Sequence, residues 1–477
     1  MYNRSIDIKM KTIEKSIKWI FWGIWIVIIA VCSYFIVANA AWVNFDDTQV
    51  IMYTGWDKPI FGFFVDPSYG RFFPFDYTVY DILLLFYNGQ VPPVAHYAVH
   101  VFWFIIFIAF FTAISLHLLK NQKTVWKYAI TLFLLVSVIG RTYVHFMQLW
   151  TGIWTIISFI PIFLYGYIRF SETKKWGYGI LALIAINYIL YYYETLFTIP
   201  IALGACSLLF TYKKQDKRER VFNYLLIASG ITFLLLYLIL VVPRIEHMYH
   251  HYTEDSLLAN ALKMLFAQKI MWLVIIVLIV RVVSFFKKNT TYTIYDSILL
   301  ASCAYFVGAS TLHLDYTLYY TPAVILALPA LLYFGNQYLK PWWVLILFVC
   351  LAGFYSRNIP RDIKWVQKGR KDMYTNICKF NEIVAEGKDV YYYLPDNPAL
   401  DEGELDIRSC KVHYLESKAG WYQNNPNFSI IRIEECESFV PGLWVMDEKD
   451  EQIFIDKCPS AQLTDLLFWG YKLYIVE

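Results

Sequence analysis

The clearest shortage in this sequence of 477 residues is charge. Asp, Glu, Lys and Arg make up 17% of the chain, whereas hydrophobic residues make up 58% and aromatic residues 19%. Because a soluble protein carries about a quarter charged residues, this composition excludes a chain that is soluble throughout its length. It indicates that lipid surrounds much of the chain.

Motifs that mark several other classes of membrane protein are also missing. The chain has no Gly-rich phosphate loop ending in Lys-Ser or Lys-Thr, which argues against an ATP-driven pump. It also lacks the Cys-x-x-Cys and His-Glu-x-x-His patterns of zinc sites. The two halves show no repeat, and charged residues are rare within the apolar segments, which disfavours a duplicated transporter or a proton relay.

Apolar segments recur over the first three quarters of the chain, most of them long enough to cross a hydrocarbon core of about 30 Å. We therefore predict an all-α bundle of about eleven transmembrane helices, with the first span retained as an anchor because no cleavage site follows it. The predicted spans are Trp19–Asn39, Val94–Leu118, Val125–Ile139, Thr151–Tyr167, Trp176–Tyr191, Thr195–Tyr212, Val221–Val242, Ile270–Phe286, Tyr292–Ala309, Tyr319–Leu339 and Trp342–Phe354.

Lys and Arg residues predict the orientation of these spans. Twenty of them fall in the N-terminal tail and after the even-numbered spans, against six in the loops of the other face. Because positive residues favour the cytoplasmic side, we predict a cytoplasmic N-terminus in the inner membrane. An odd number of spans then places the C-terminal region on the exterior.

We divide the chain into a transmembrane domain, residues 1–356, and an extracytoplasmic domain, residues 357–477. The second has 15 basic and 21 acidic residues and no apolar run long enough to span. Tyr- and Ile-rich stretches at Val390–Leu394 and Phe428–Ile433 predict strands, and hence a small α+β domain. An even number of cysteines in this domain is compatible with two disulfides or with free thiols: Cys378, Cys410, Cys436 and Cys458.

The first exterior loop, residues 40–93, is much longer than a connector requires, and long loops often carry function. It contains two adjacent carboxylates, Asp46 and Asp47, a few residues beyond the first span. Adjacent carboxylates raise the pKa of one member, which suits a group that takes a proton from an alcohol. A second interpretation is that the pair only ends one helix and caps the next.

The arrangement resembles the GT-C superfamily of membrane glycosyltransferases, which take sugars from polyprenyl-phosphate donors. The resemblance covers the architecture of the whole chain, including the long first exterior loop with its interfacial segment and the exterior C-terminal domain. In sequence it depends on three elements. These are Asn44-Phe-Asp46-Asp47, Gly70-Arg71-Phe-Phe-Pro74 and Tyr191-Tyr-Tyr-Glu194; relatives usually have Lys-Glu where this chain has Tyr193-Glu194.

The resemblance implies roles for particular residues. In the superfamily the first-loop Asp acts on the acceptor hydroxyl, which points to Asp46 or Asp47 as the catalytic carboxylate. Glu194 matches an acidic residue of relatives, and a short late loop with His313 and Tyr316 is similar to their last substrate-facing loop. An inverting transfer also needs positive charge at the departing phosphate, and Arg offers a planar fork of donors for it. The candidates at span boundaries are Arg71, Arg141 and Arg244; the alternative interpretation is that each simply pairs with lipid headgroups.

No cofactor is required by these motifs, and a divalent metal ion is left open. If the segment after Arg244 is helical, His247, His250 and His251 share a face and are weak metal-ligand candidates. A solvated polar loop is the alternative interpretation of the same residues.

The sequence thus predicts an enzyme that moves a sugar from a polyprenyl-phosphate-linked donor to a lipid, glycan or protein acceptor at the exterior membrane surface. Membrane lipid is an expected partner, and nucleic acid is not. Three alternatives stay open: a polymerase or ligase of lipid-linked polysaccharide, a flippase or transporter of lipid-linked glycan, and a scaffold without catalytic activity.

Overall fold

A computed structural model of the chain describes residues 2–42, 64–66, 71–75, 83, 86–87, 91–148, 151–192, 194–245, 256–288, 290–311, 317–385, 387–393, 402–423, 425, 428–433, 439–468 and 470–477. The chain divides into two compact units. The helical unit comprises residues 1–36, 61–78 and 99–362, and the C-terminal unit comprises residues 37–60, 79–98 and 363–477. Each is described separately below.

Helices dominate the chain up to residue 385. In the sequence, a short hairpin of strands β1 (Phe64–Asp66) and β2 (Arg71–Phe73) lies between the first and second helices. The helices are α1 (Tyr2–Val37), α2 (Pro93–Leu118), α3 (Thr124–Gln148), α4 (Thr151–Thr173), α5 (Trp176–Leu190), α6 (Thr198–Thr211), α7 (Lys217–Leu240), α8 (Leu257–Ala267), α9 (Ile270–Phe286), α10 (Ile294–Thr311), α11 (Thr321–Tyr338), α12 (Pro341–Ser356) and α13 (Ile359–Ala385).

The predicted class of a polytopic membrane bundle with a small C-terminal sheet is confirmed. Among the described residues, eight helices are long and apolar enough to cross a membrane, and the pair α8 and α9, bent by 103°, adds a ninth if it forms one broken span. Helices α4 and α5 cover the two remaining predicted segments. Every predicted span is therefore helical, and the number of crossings stays a prediction.

Three features differ from the sequence expectation. Helix α3 extends to Gln148, nine residues beyond the predicted end at Ile139, because Thr142, His145 and their neighbours continue one buried face. Helix α8 was not predicted, since 11 residues are too few for a span. The antiparallel hairpin pairs Val65 with Phe72 in a segment expected only to lie at the interface.

Polar contacts join the helix ends that carry most of the predicted cytoplasmic Lys and Arg. His117 at the end of α2 contacts Glu172 at the end of α4, 2.7 Å apart. Lys174, two residues after Glu172, pairs with Glu219 at the start of α7. Gln122 donates to Asn336 near the end of α11 at 2.6 Å. We call this the basic end of the helical unit. The alternation predicted from Lys and Arg agrees with this grouping, whereas the side of the membrane stays a prediction.

A buried ion pair links three helices at the basic end. The guanidinium of Arg281 in α9 binds both carboxylate oxygens of Asp296 in α10, at 2.7 and 2.8 Å. It also donates to the hydroxyl of Thr290 at 2.6 Å and to that of Tyr338 at 2.5 Å. Tyr338 is the last residue of α11. The Asp296 carboxylate accepts a further hydrogen bond from the backbone N–H of Thr293. Both charges are thus removed from solvent with their hydrogen-bonding capacity used, as a buried pair requires.

The sheet of the C-terminal unit has five strands in the order β4-β3-β5-β7-β6. Strand β3 runs parallel to β4 and β5, and β7 runs antiparallel to β5 and β6. The predicted strands near residues 390 and 431 are confirmed. The elements are β3 (Val390–Tyr393), α14 (Glu402–Gln423), β4 (Ile431–Ile433), β5 (Gly442–Asp447), α15 (Glu451–Lys457), β6 (Gln462–Phe468) and β7 (Tyr471–Val476).

Helices cover both faces of this sheet. Phe380 of α13 and Leu415 of α14 pack on the face that carries Leu443, whereas Phe454 of α15 packs on the opposite face beside Trp444. Successive residues of β5 thus point to different cores, as the two-residue period of a strand dictates. The core requires no disulfide among its described residues: Cys378 and Cys458 have free thiols, and the side chains of Cys410 and Cys436 lie outside the described part.

One carboxylate ties α15 to the last strand. Glu451, at the start of α15, accepts a hydrogen bond from Lys472 at 2.6 Å and another from the hydroxyl of Tyr474. The Lys472 ammonium, together with the Tyr474 hydroxyl, holds the pKa of Glu451 below its usual range. The folded carboxylate therefore contributes stability above the usual Glu pKa of about 4.3. That contribution is lost as the pH falls through the lower folded pKa.

Asp296→Asn leaves the Arg281 cation buried without a counter-charge. We expect the free energy of unfolding to fall by about 3–5 kcal/mol, the cost of breaking a buried pair. The measurement is the loss of helicity in mixtures of neutral detergent and dodecyl sulfate. Asp362→Asn, which removes an exposed pair with Arg361, is the matched control and should cost less than about 1 kcal/mol. Equal losses of unfolding free energy in the two variants would contradict a stabilising role for the buried Arg281–Asp296 pair.

Glu451→Gln should remove the acid sensitivity of strand β7. In the native chain, protection of the β7 amides against hydrogen exchange, corrected for the intrinsic rate, should decline once the pH passes below about 4.3. The variant should be less protected at pH 7 and should show no such decline. Glu382→Gln alters an exposed carboxylate of α13 and should retain the native profile. An unchanged decline in Glu451→Gln would show that another group titrates.

Candidate functional site

The chain segment from Ala38 to Trp42, which leads towards the predicted acidic pair, belongs to the C-terminal unit. Asn39 has a left-handed backbone (φ 55°), a conformation that Asn tolerates at the end of a helix. Arg370 in α13 donates to the carbonyl of Ala38 at 3.0 Å, and Asn39 donates to Gln367 at 2.8 Å. The backbone N–H of Trp42 donates to the hydroxyl of Tyr422, in α14, at 3.0 Å. The chain is thus fixed at three successive points.

The ring of Trp42 is fully buried within the same unit. It lies edge-on to Trp421, with ring centroids 6.2 Å apart, and 5.1 Å from the ring of His96 near the start of α2. One residue further, the ring of Tyr97 lies under the Arg370 guanidinium at 4.0 Å. Buried aromatic contacts and a cation–π contact together hold this segment more firmly than its hydrogen bonds alone.

Several predicted site residues lie outside the described part of the chain. These are Asp46 and Asp47, which follow Trp42 by four and five residues, and His247, His250, His251, His313 and Tyr316. The structure describes the backbone of Arg71 and of Glu194 but not their side chains. The catalytic and substrate-binding assignments of these residues stay predictions.

The hairpin that carries Arg71 packs against the segment that leads to Glu194. Phe72 is buried, with its ring 6.3 Å from that of Tyr191 and 5.8 Å from that of Phe233. Phe75 donates its backbone N–H to the carbonyl of Tyr191 at 3.3 Å. Two of the three sequence elements of the GT-C resemblance are thereby brought into contact, although more than 100 residues separate them in the chain.

A buried hydrogen-bond chain connects the same segment with the late loop. The Tyr305 hydroxyl in α10 donates to the carbonyl of Tyr319 at 2.8 Å. Because a tyrosine hydroxyl has one hydrogen to give, it must accept from the Thr195 hydroxyl, 3.1 Å away. Thr195 directly follows Glu194, and Tyr319 lies three residues after Tyr316. The predicted Glu194 and Tyr316 elements are therefore linked at the end of the helical unit opposite the basic end.

Of the predicted phosphate-binding cations, Arg141 and Arg244 have described side chains. Arg141 lies beside Tyr355, near the end of α12. The neighbouring ring of Phe354 contacts two more cations, Lys269 at 5.0 Å and Arg357 at 4.8 Å. Arg244 is exposed and donates to the carbonyl of Leu240 in its own chain segment. Arg141 thus neighbours one member of an adjacent aromatic pair, and the other member contacts two cations that the sequence argument did not select.

Lys269 and Arg357 carried a usable signal in the sequence. Each is a cation at the boundary of an apolar segment on the predicted exterior face, as Arg141 is. The sequence does not show that α12 contacts the start of α9, and this contact brings Lys269 to the ring of Phe354. Within the described residues, no group of three or more His, Cys, Asp or Glu side chains is placed to hold a metal ion. The metal candidates of the sequence lie outside that part.

No protein-family model and no curated protein matches this chain. Among solved structures, the chain is similar to ArnT from Cupriavidus metallidurans in the apo state. The two sequences are 11% identical, and the structures match with a TM-score of 0.51 over 94% of this chain and 97% of that one. A likeness at this identity concerns the fold alone. The chain has an ArnT-like fold of many apolar helices and a C-terminal sheet.

Proposed function

We propose that this protein is a membrane glycosyltransferase that uses a polyprenyl-phosphate-linked sugar donor. The acceptor is a hydroxyl of a lipid, glycan or protein at the membrane face opposite the basic end. The observation that carries the proposal is the fold: ArnT is a GT-C glycosyltransferase, and the match extends over nearly the whole of both chains. A scaffold that only presents the C-terminal unit would not need a fold that matches ArnT over nearly the whole chain.

The acceptor side of the proposal depends on Asp46 or Asp47. One of them takes the proton from the acceptor hydroxyl, or orients that hydroxyl, as the sugar is transferred. Such a group must be held accurately, because a displacement of about 1 Å can lower a rate roughly 100-fold. The contacts at Ala38, Asn39 and Trp42 support this role, since they fix the chain just before the acidic pair.

The donor side requires positive charge where the phosphate leaves. We assign this role to the group of Arg141, Lys269 and Arg357, with Arg71 as a further candidate. Three cations around one aromatic pair repel one another, and a bound phosphate dianion would relieve that repulsion. Departure of the phosphate from the face opposite the incoming hydroxyl would make the transfer inverting. Glu194, His313 and Tyr316 would then contact the sugar or the acceptor.

The decisive experiment compares cells that make the native chain with cells that make Asp46→Asn plus Asp47→Asn. Loss of a catalytic base lowers a rate by roughly 10²–10⁴. We therefore expect one sugar to disappear from its acceptor while the polyprenyl-phosphate sugar accumulates. Mass spectrometry of lipid-linked and surface glycans measures both changes and identifies the sugar in the same spectrum.

Asp57→Asn, later in the same loop, is the control and should leave the glycan profile native. Matching profiles for the native chain and the double variant, with equal amounts of membrane-inserted protein, would refute the catalytic assignment. Shortened polymer without donor accumulation would instead indicate a polymerase or ligase. A lipid-linked glycan retained on the cytoplasmic face would indicate a flippase.

Tyr422→Phe tests whether the C-terminal unit positions the acidic pair. The change removes the hydroxyl that accepts the Trp42 N–H, and a buried donor without a partner costs about 1–3 kcal/mol. We expect kcat for sugar transfer to fall about tenfold, with KM and the amount of membrane protein nearly unchanged. Tyr374→Phe, beside Tyr422 in the same unit, should retain native kcat. A native kcat in Tyr422→Phe would rule out the positioning role.

A further inference from the structure

A cavity of about 230 Å³ lies at the basic end of the helical unit, away from every residue assigned above. Four helix ends enclose it: the ends of α4 and α6 and the starts of α7 and α10. Its volume is several times the roughly 30 Å³ of a water molecule in the liquid. It can therefore hold a small polar group rather than only solvent.

Hydroxyl groups of Tyr167, Ser207 and Tyr292 line this cavity, and the hydroxyl of Ser297 behind them connects the last two. The hydroxyl of Tyr167 lies 3.0 Å from that of Ser207, which lies 3.1 Å from that of Ser297. The Tyr292 hydroxyl completes the chain at 2.9 Å from Ser297. Because each hydroxyl has one hydrogen and these three contacts use three of the four, the chain has one hydrogen left to donate to a ligand oxygen.

The rim of the cavity presents polar groups that the protein itself does not fully use. Gln215 donates its amide hydrogens to the carbonyl of Ser207 and the hydroxyl of Thr211, at 3.0 and 2.7 Å. Its buried Oε1 has no hydrogen-bond partner among the described residues. The ammonium of Lys214 is exposed and has no ion pair in the described part of the chain. Glu219, also at the rim, is neutralised by Lys174.

The surroundings of the cavity are strongly positive. The segments 169–175 and 213–220 together contain eight basic and three acidic residues. Two of the three carboxylates are engaged, Glu172 with His117 and Arg169, and Glu219 with Lys174. The two segments therefore carry a net charge of +5, which attracts an anionic ligand to the cavity. Basic pockets between transmembrane helices are known to hold anionic lipid headgroups.

We propose that this cavity binds the phosphate of an anionic phospholipid whose headgroup also carries hydroxyls. Lys214 contacts the phosphate, the hydroxyl chain donates its remaining hydrogen to one phosphate oxygen, and a headgroup hydroxyl donates to the free Gln215 Oε1. The helix ends that form the cavity belong to apolar helices, so an acyl chain can leave it along their lipid-facing sides. This site is separate from the sugar-transfer site and does not depend on the proposed function.

The test uses the purified full-length protein in a neutral detergent. Short-chain phosphatidylglycerol is titrated, and the apparent Kd is obtained from the rise in the thermal midpoint. Phosphatidylcholine has the same phosphodiester with a cation beside it, and inorganic phosphate has no acyl chain. We expect phosphatidylglycerol to raise the midpoint at concentrations at which the other two have no effect.

Lys214→Gln should weaken binding of phosphatidylglycerol about fivefold, the effect of one basic residue near a lipid headgroup. Gln215→Ala should weaken it as well, with the rise measured from the variant's own lipid-free midpoint because the change also removes two amide hydrogen bonds. Lys213→Gln is the matched control, since it removes a neighbouring exposed charge that does not line the cavity. Equal weakening by Lys213→Gln, or equal stabilisation by phosphatidylcholine, would overturn the site. Full stabilisation by inorganic phosphate would overturn its assignment to a lipid.

Discussion

The pairing of buried polar groups at the ends of apolar helices is the constraint on which this structure depends. A bilayer offers those groups no water, so each must find a partner within the protein. Arg281 and Asp296 show the result, because their four connected contacts fix the ends of α9, α10 and α11 at once. The less buried contacts of His117, Lys174 and Gln122 join further helix ends, those of α2, α4, α7 and α11.

Close packing along the helices is possible because small residues lie where two of them cross. A Cβ atom at Gly204 of α6 would come within 2.6 Å of the carbonyl of Asn223 in α7. One at Gly230 of α7 would come within 2.8 Å of the carbonyl of Phe197. The two glycines thus allow the backbones to approach directly, which is how helices associate in lipid, where apolar side chains gain nothing by leaving the solvent.

The sequence was sufficient for elements whose signal is long and local. The segment Ile270–Phe286 was predicted at its observed bounds, because seventeen largely apolar residues between Lys269 and Lys287 permit one interpretation. Helix α8 and the β1–β2 hairpin were missed because each is short and stabilised by tertiary contacts. At the candidate site, the resemblance named the Arg71 and Glu194 elements, but their contact was not predicted. The cations Lys269 and Arg357 required the packing of α12 against its neighbours, which no local pattern encodes.

The 103° bend between α8 and α9 has an electrostatic consequence at the proposed donor site. Because the helix is interrupted at Gln268 and Lys269, α9 begins afresh at Ile270, and the N–H groups of Met271 and Trp272 bond only to Gln268 and Lys269 in this first turn. The aligned peptide dipoles of α9 then place roughly half a positive charge at Ile270. Ile270 lies beside the Tyr355 hydroxyl and hence next to Arg141. The break therefore adds a fixed positive potential that no substitution of a side chain can remove and no change of pH can titrate.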